Sequence, residues 1–240
     1  MRMNPFCTRC RRESAGVSLV ELMVGIAIGL IIVAGGLALL ANFTGENRRL
    51  LLETRLNQDL RAAMDVVTRD LRRAGYWQAS TGGMWVEGGP NVPAQNAYRS
   101  FYNAACNAAP SASAPIPAAA ANFVCYTIAG DANNAVAATE FYGFHLTNGV
   151  LFAVVAGSAE QAVTDAGTVT ITDFVVTPSS QVIPMTGYCK LTCTSNCPRV
   201  IVREFEVVLK GNIPSDALIQ RQLRSNVRVR NDYYDGQCPT

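Results

Sequence analysis

The chain has 240 residues, ordinary globular composition with 16% charged residues, and a net charge of +2. That length accommodates one medium domain plus an extra element. The charge is uneven: residues 1–16 carry Arg2, Arg9, Arg11 and Arg12 against Glu13, which leaves the rest near neutral and excludes a surface built for nucleic acid over its whole extent.

The first predicted element is an apolar run. Leu22 to Phe43 carries no charge and, at about 33 Å as a helix, is long enough for a bilayer core of roughly 30 Å. Arginines before it and none within it put the N-terminus on the cytoplasmic side. Three processing fates follow. A secretory signal peptide would be cut near Gly36-Leu37-Ala38, but the run is long for such a peptide. Lipoprotein processing needs a cysteine directly after the run, and none is there. A cut at Gly16, ahead of the run, would leave the whole segment on the mature chain. Glu21, at the edge of the run, costs roughly 2.5–3.5 kcal/mol near a bilayer interior unless solvated or paired.

After Gly45 the pattern changes. Leu52, Leu56, Leu60, Ala63, Val67, Leu71 and Ala74 recur every three or four residues and form one stripe of an amphipathic helix. No proline lies between Val17 and Gly75, so one helix of about 88 Å is expected, stopping at Gly75, with possible bends at Gly35-Gly36 and Asn42 to Gly45. Gly25 and Gly29 form a small-xxx-small pair. Asp70 and Arg73 are placed for an i,i+3 pair.

From Tyr76 to Asn122 the sequence is rich in Gly, Ala, Asn, Ser and Pro, and Asn107–Asn122 reads as a loop. Strands are expected over Phe123–Ala129, Thr139–Leu146, Val150–Val155, Thr168–Val176, Val200–Leu209 and Asn226–Arg230. Asn148-Gly149 marks a hairpin. Pro214–Leu223 reads as a short helix or an irregular crossover. The fold class is therefore α+β: a long N-terminal helix, apolar then amphipathic, laid on a mainly antiparallel β-sheet head.

Eight cysteines split by position. Cys7 and Cys10 precede the apolar run. Cys106, Cys125, Cys189, Cys193, Cys197 and Cys238 follow it, an even set that suggests three disulfides in an oxidising compartment. Cys106 and Cys125 flank the Asn107–Asn122 loop, and a bond between them contributes about 3 kcal/mol in the chain-entropy model. The other four make two bridges of open pairing. A zinc site at Cys189, Cys193 and Cys197 is disfavoured because the spacing is not paired C-x2-C and His145 is the one histidine. No nucleophile elbow, phosphate loop or ligand set points to an enzyme or a cofactor. Asp131 to Asn134 reads as a turn, not a calcium loop. Arg221, Arg224, Arg228 and Arg230 read as a solvated strand face, with contact to DNA or an acidic neighbour as the alternative.

The stretch Gly16-Val17-Ser18-Leu19-Val20-Glu21, with a basic leader before it and an uncharged run after it, resembles the class III signal of type IV prepilins and type II secretion pseudopilins. The resemblance implies cleavage after Gly16 by a membrane peptidase and methylation of the new N-terminus at Val17, where the family more often has phenylalanine. It implies that Glu21 pairs with the N-terminal amine of a neighbouring subunit during assembly. The run "TRDLRRAGYW" (Thr68–Trp77) resembles the PilW family of minor pilins and, more loosely, J-type minor pseudopilins; Leu223–Asn231 resembles the last PilW strand. The implied organisation is a leader over 1–16, a transmembrane and filament-core helix over 17–45, an amphipathic helix over 46–75 and an exported head over 76–240. The removed leader makes the Cys7/Cys10 pair incidental. The implied function is assembly or priming of a type IV pilus from the inner membrane, with other minor and major pilins, the prepilin peptidase and the assembly platform as partners. A type II secretion pseudopilin, or a surface adhesin or DNA-binding tip protein, remains the alternative reading.

Overall fold

A computed structural model describes residues 16–83, 94–102, 106, 113–114, 121–155 and 160–239. The leader arginines, Glu13, Cys7, Cys10 and most of Asn107–Asn122 lie outside the described residues. One α-helix, α1, runs over Leu19–Arg73, 55 residues without interruption. It passes through Gly35-Gly36 and Asn42 to Gly45, the expected bends, in helical conformation. By its internal contacts the chain divides into two compact units between Leu51 and Leu52.

In the first unit, the uncharged run Leu22–Phe43 of α1 is exposed at nearly every position, with side chains such as Ile31 and Ile32 about 70% exposed (72% and 68%). It is long and apolar enough to cross a membrane.

In the second unit, the same helix turns its stripe inward. Leu56, Leu60, Ala63, Met64, Val67 and Leu71 are buried, each large aliphatic one contributing about 2 kcal/mol by removal from water. They meet two antiparallel sheets. The first contains β1 (Phe101–Tyr102), β2 (Ser113–Ala114), β3 (Phe123–Thr127), β4 (Phe141–Thr147), β5 (Val150–Val154) and β6 (Gln161–Ala162), in the order β2-β1-β3-β4-β5-β6. Asn148 and Gly149, at φ 50° and 77°, turn β4 into β5. The second sheet is built on β8 (Arg199–Ile213). It pairs with β7 (Thr170–Pro184) on one side, and with β9 (Asp216–Arg228) and then β10 (Tyr233–Asp235) on the other. A bridge between Ala121 and Val176, and a bond from Ile171 N–H to Gly149 C=O at 2.8 Å, join the sheets.

Strand β8 is the centre of the core. Residues 201, 203, 205, 207, 209, 211 and 213 all point inward and are buried, as the period of two requires. Gly211 lets α1 approach: a Cβ there would stand 3.3 Å from Leu60 Cδ2.

Several sequence expectations change. Pro214–Leu223 is neither helix nor crossover: Pro214-Ser215 turns β8 into β9, and Ile219 and Val227 are buried on one face of that strand. The strand expected over Thr168–Val176 starts at Thr170 and continues through Ser179 and Ser180 to Pro184, because β8 supplies a partner along the whole length. Thr139 and Glu140 belong to a 3-10 turn, and Asn226–Arg228 closes β9 instead of standing alone. The pair Asp70–Arg73 is present at 3.5 Å.

Candidate assembly segment and the helix exit

At the N-terminus of the described chain, Gly16, Val17 and Ser18 precede the helix and are exposed. Val17 is 70% exposed, and no atom would come within 4 Å of a side chain at Gly16. Ser18 C=O accepts the first helical bond, from Leu22 N–H at 3.1 Å. Glu21 therefore stands in the first turn of α1, where unpaired backbone N–H groups favour a carboxylate. The Gly16-Val17 peptide is exposed, and the acid lies about one turn beyond it. Gly25 and Gly29 have no neighbour within 4 Å, so their faces are free for helix contact.

The other end of α1 is enclosed. Gly75 leaves the helix at φ +72°, the left-handed exit that glycine permits. Its N–H donates to Thr127 C=O at 2.9 Å, and Ala129 N–H returns to Tyr76 C=O at 3.0 Å, docking the exit on β3. The last carbonyls of the helix are taken by the C-terminal part of the chain. Arg230 N–H donates to Arg72 C=O at 3.0 Å. Asn231 Nδ2 donates to Arg73 C=O at 3.3 Å and Ala74 C=O at 3.0 Å. Asn96 Nδ2 takes Gly75 C=O at 2.8 Å. Thr68–Trp77 and Leu223–Asn231, the two stretches that carry the PilW resemblance, thus meet here.

Beneath this exit lies Arg203, fully buried in the inward row of β8. Its guanidinium donates to Arg99 C=O through Nη1 and to Asn231 C=O through Nη2, the latter at 2.5 Å. The rings of Phe101 and Tyr233 flank it at 5.1 and 5.2 Å. Burial lowers its pKa to about 10, while Tyr233 and Asp232 oppose that shift. The group remains a cation at neutral pH and ties β1, β8, β10 and the helix exit together. Sequence reading missed it, although the alternation in Arg199–Ile213 assigns residue 203 to the inner face.

A second buried polar cluster supports the adjoining loops. Glu140 accepts from Tyr98 Oη at 3.1 Å, Gly130 N–H at 2.6 Å and Ala137 N–H at 2.8 Å. Burial first, and Glu140 next, push the Tyr98 hydroxyl up to about 12.

The cysteines resolve into Cys106–Cys125, Cys189–Cys238 and Cys193–Cys197. Cys189–Cys238 ties the segment after β10 to the loop between β7 and β8. Gly143 on β4 makes room for the first bond: a Cβ there would lie 2.1 Å from Cys106 Sγ. Among the described residues, no three His, Cys, Asp or Glu side chains gather as metal ligands. His145 faces Thr147 Oγ1 at 3.0 Å and Glu160 Oε1 at 3.1 Å and stacks on Phe152. Asp131 accepts from Asn133 N–H at 3.0 Å in a local turn. The basic strand face is largely neutralised, for Arg221 pairs with Glu53 at 2.7 Å, Arg224 with Glu206 at 2.8 Å and Arg228 with Asp232 at 2.7 Å.

Comparison with known families agrees with this arrangement. Residues 11–37 match the prokaryotic N-terminal methylation motif, and residues 49–229 match prepilin peptidase-dependent protein B. No curated protein and no solved structure matches the chain. The second family match spans well over half of the chain and covers both the amphipathic helix and the sheets. The chain belongs to the prepilin peptidase-dependent protein B family and is a pilin-type protein with a prepilin-like signal at its N-terminus.

Proposed function

We propose that the chain is a minor pilin of the PilW type that helps to start a type IV pilus. In this reading α1 holds it in the inner membrane, N-terminus cytoplasmic and head periplasmic. Prepilin peptidase cuts after Gly16, Val17 is methylated, and the subunit joins other minor and major pilins at the assembly platform to enter the filament or its tip. The observation that carries it is the exposed Gly16-Val17 step, one turn ahead of Glu21, at the head of a helix whose apolar run is exposed. In an apolar filament core Glu21 is costly unless a neighbour's N-terminal amine pairs with it. Closure of the helix exit by the two PilW-like stretches adds support.

Mass spectrometry of the mature N-terminus is the direct test, with a methylated Val17 expected; a start near Asn42 overturns the reading. Glu21→Ala is expected to be processed and to keep its disulfides but to be missing from sheared surface filaments. Normal piliation with that variant removes the assembly role of Glu21. If deletion of the protein abolishes exoprotein secretion and leaves pili intact, the protein is a type II secretion pseudopilin.

A further inference from the structure

The face of α1 opposite its buried stripe carries Arg55, Arg61, Arg69 and Arg72, all exposed. Arg55 and Arg69 share one row at multiples of seven residues; Arg61 and Arg72 form a second row beside it. One acid, Asp65, lies between them, so the face is +3 over about 26 Å of helix. Elsewhere on the head, Arg199, Arg221, Arg224 and Arg228 each hold a carboxylate. No ion pair among the described residues reaches the four helix arginines. A groove of about 300 Å³ lies at this face, lined by Asp65, Val66, Thr68, Arg69 and Arg72.

We propose that this arginine face docks an acidic helix of a different polypeptide. The proposal deepens the filament-subunit reading and rests on it, since such subunits meet through their helices. A second copy of this chain is the wrong partner: α1 is its one α-helix among the described residues, and the same face would set four guanidiniums against four. Like charges in direct apposition suppress such a pairing, whereas carboxylates along a partner helix would instead pair with the arginines. A lipid surface fits less well, because Arg55, Gln58, Arg61, Ala62, Asp65 and Arg69 include no large apolar side chain to enter a bilayer. Nucleic acid fits less well because Asp65 sits at the centre of the face, where a phosphate backbone would meet it.

The test uses the full oxidised chain in detergent micelles. The probe is a fluorescent alanine-based helical peptide with glutamates placed 14 residues apart in one row and 11 apart in a second, beside its glutamine counterpart. The glutamate peptide is expected to bind, to weaken at least tenfold between 50 and 300 mM salt, and to lose at least tenfold in affinity with Arg61→Gln/Arg69→Gln/Arg72→Gln. Arg69→Gln alone is expected to weaken binding partially. The control Lys190→Gln/Lys210→Gln is expected to change nothing. Equal binding of the two peptides, or binding indifferent to the arginine changes, overturns the proposal. So does arginine-dependent binding to a duplex oligonucleotide or to phosphatidylglycerol vesicles without binding to the glutamate peptide, or a photocrosslinker at Ala62 that joins two copies of this chain. Circular dichroism of each variant checks that it folds. A processed N-terminus with no peptide binding refutes the docking alone, whereas an unprocessed N-terminus refutes the filament reading.

Discussion

Replacing Gly75 by alanine is expected to destabilise the head by about 2–4 kcal/mol. Gly75 has φ +72°, and an L-residue in that conformation costs about 1–2 kcal/mol. The new Cβ would also stand 3.0 Å from Arg203 Nη2 and 3.4 Å from Tyr98 C=O. The guanidinium has little room to retreat. It is bound to the carbonyls of Arg99 and Asn231 and held between two rings, and disturbing a hydrogen bond to a charged group costs about 1.5–3 kcal/mol. A loss near 3 kcal/mol lowers the melting temperature of a unit this size by about 6–12 °C. Gly187→Ala is the control: nothing lies within 4 Å of that site and its φ is not in the left-handed range, so a change below about 0.5 kcal/mol is expected. Urea titration of the oxidised, detergent-held chain, followed by tryptophan fluorescence, gives both values. Equal midpoints for Gly75→Ala and Gly187→Ala refute the account of the helix exit.

Three further outcomes are expected. Removing Cys189–Cys238, which spans 49 residues, costs about 4 kcal/mol, and removing Cys193–Cys197, which spans 4, costs about 2 kcal/mol in the chain-entropy model; the urea midpoints of the serine variants rank them. Gly143→Ala obstructs Cys106–Cys125, so alkylation and peptide mapping should find free thiols at both positions, and a fully oxidised pair contradicts the packing described. Tyr98, raised to about 12, contributes stability that is complete below pH 10 and is lost as pH climbs toward 12. The stability of Tyr98→Phe should therefore fall less steeply over that window than the parent's. Arg203 has the opposite sign there and acts equally in both proteins.

Much of α1 was legible because it depends on local rules. The stripe from Leu52 to Ala74 has helical period, and Gly75 ends it. The β4–β5 hairpin was legible from Asn148-Gly149. What escaped depends on distant partners. Ala217, Leu218, Gln220 and Arg221 suit a helix, yet β8 offers a strand edge and pairing overrides propensity. The strand expected to stop at Val176 runs on to Pro184 because β8 pairs with it, and as an edge strand β7 tolerates Pro178. The arginines of β9 resembled a basic patch because two of their acids, Glu53 and Glu206, arrive from other segments, while Asp232 follows Arg228 by four residues just past the strand. Arg203 was passed over because a charge within an alternating strand is ordinarily assigned to the solvent side. At the N-terminal segment, the placing of Gly16 ahead of the helix and of Glu21 in its first turn was legible because both are read locally.

The closure of the helix exit also imposes an order of events on folding. Asn231 caps carbonyls 157 and 158 positions earlier in the chain. A polypeptide still being synthesised completes α1 long before the residues that seal its end. Until they arrive, the carbonyls of Arg73 and Ala74 lack this donor and the Arg203 pocket lacks one wall. Such a half-made head presents an open helix end and unburied aromatic rings, the features that chaperones and proteases recognise. Only a chain completed through β9 and beyond Asn231 can conceal them.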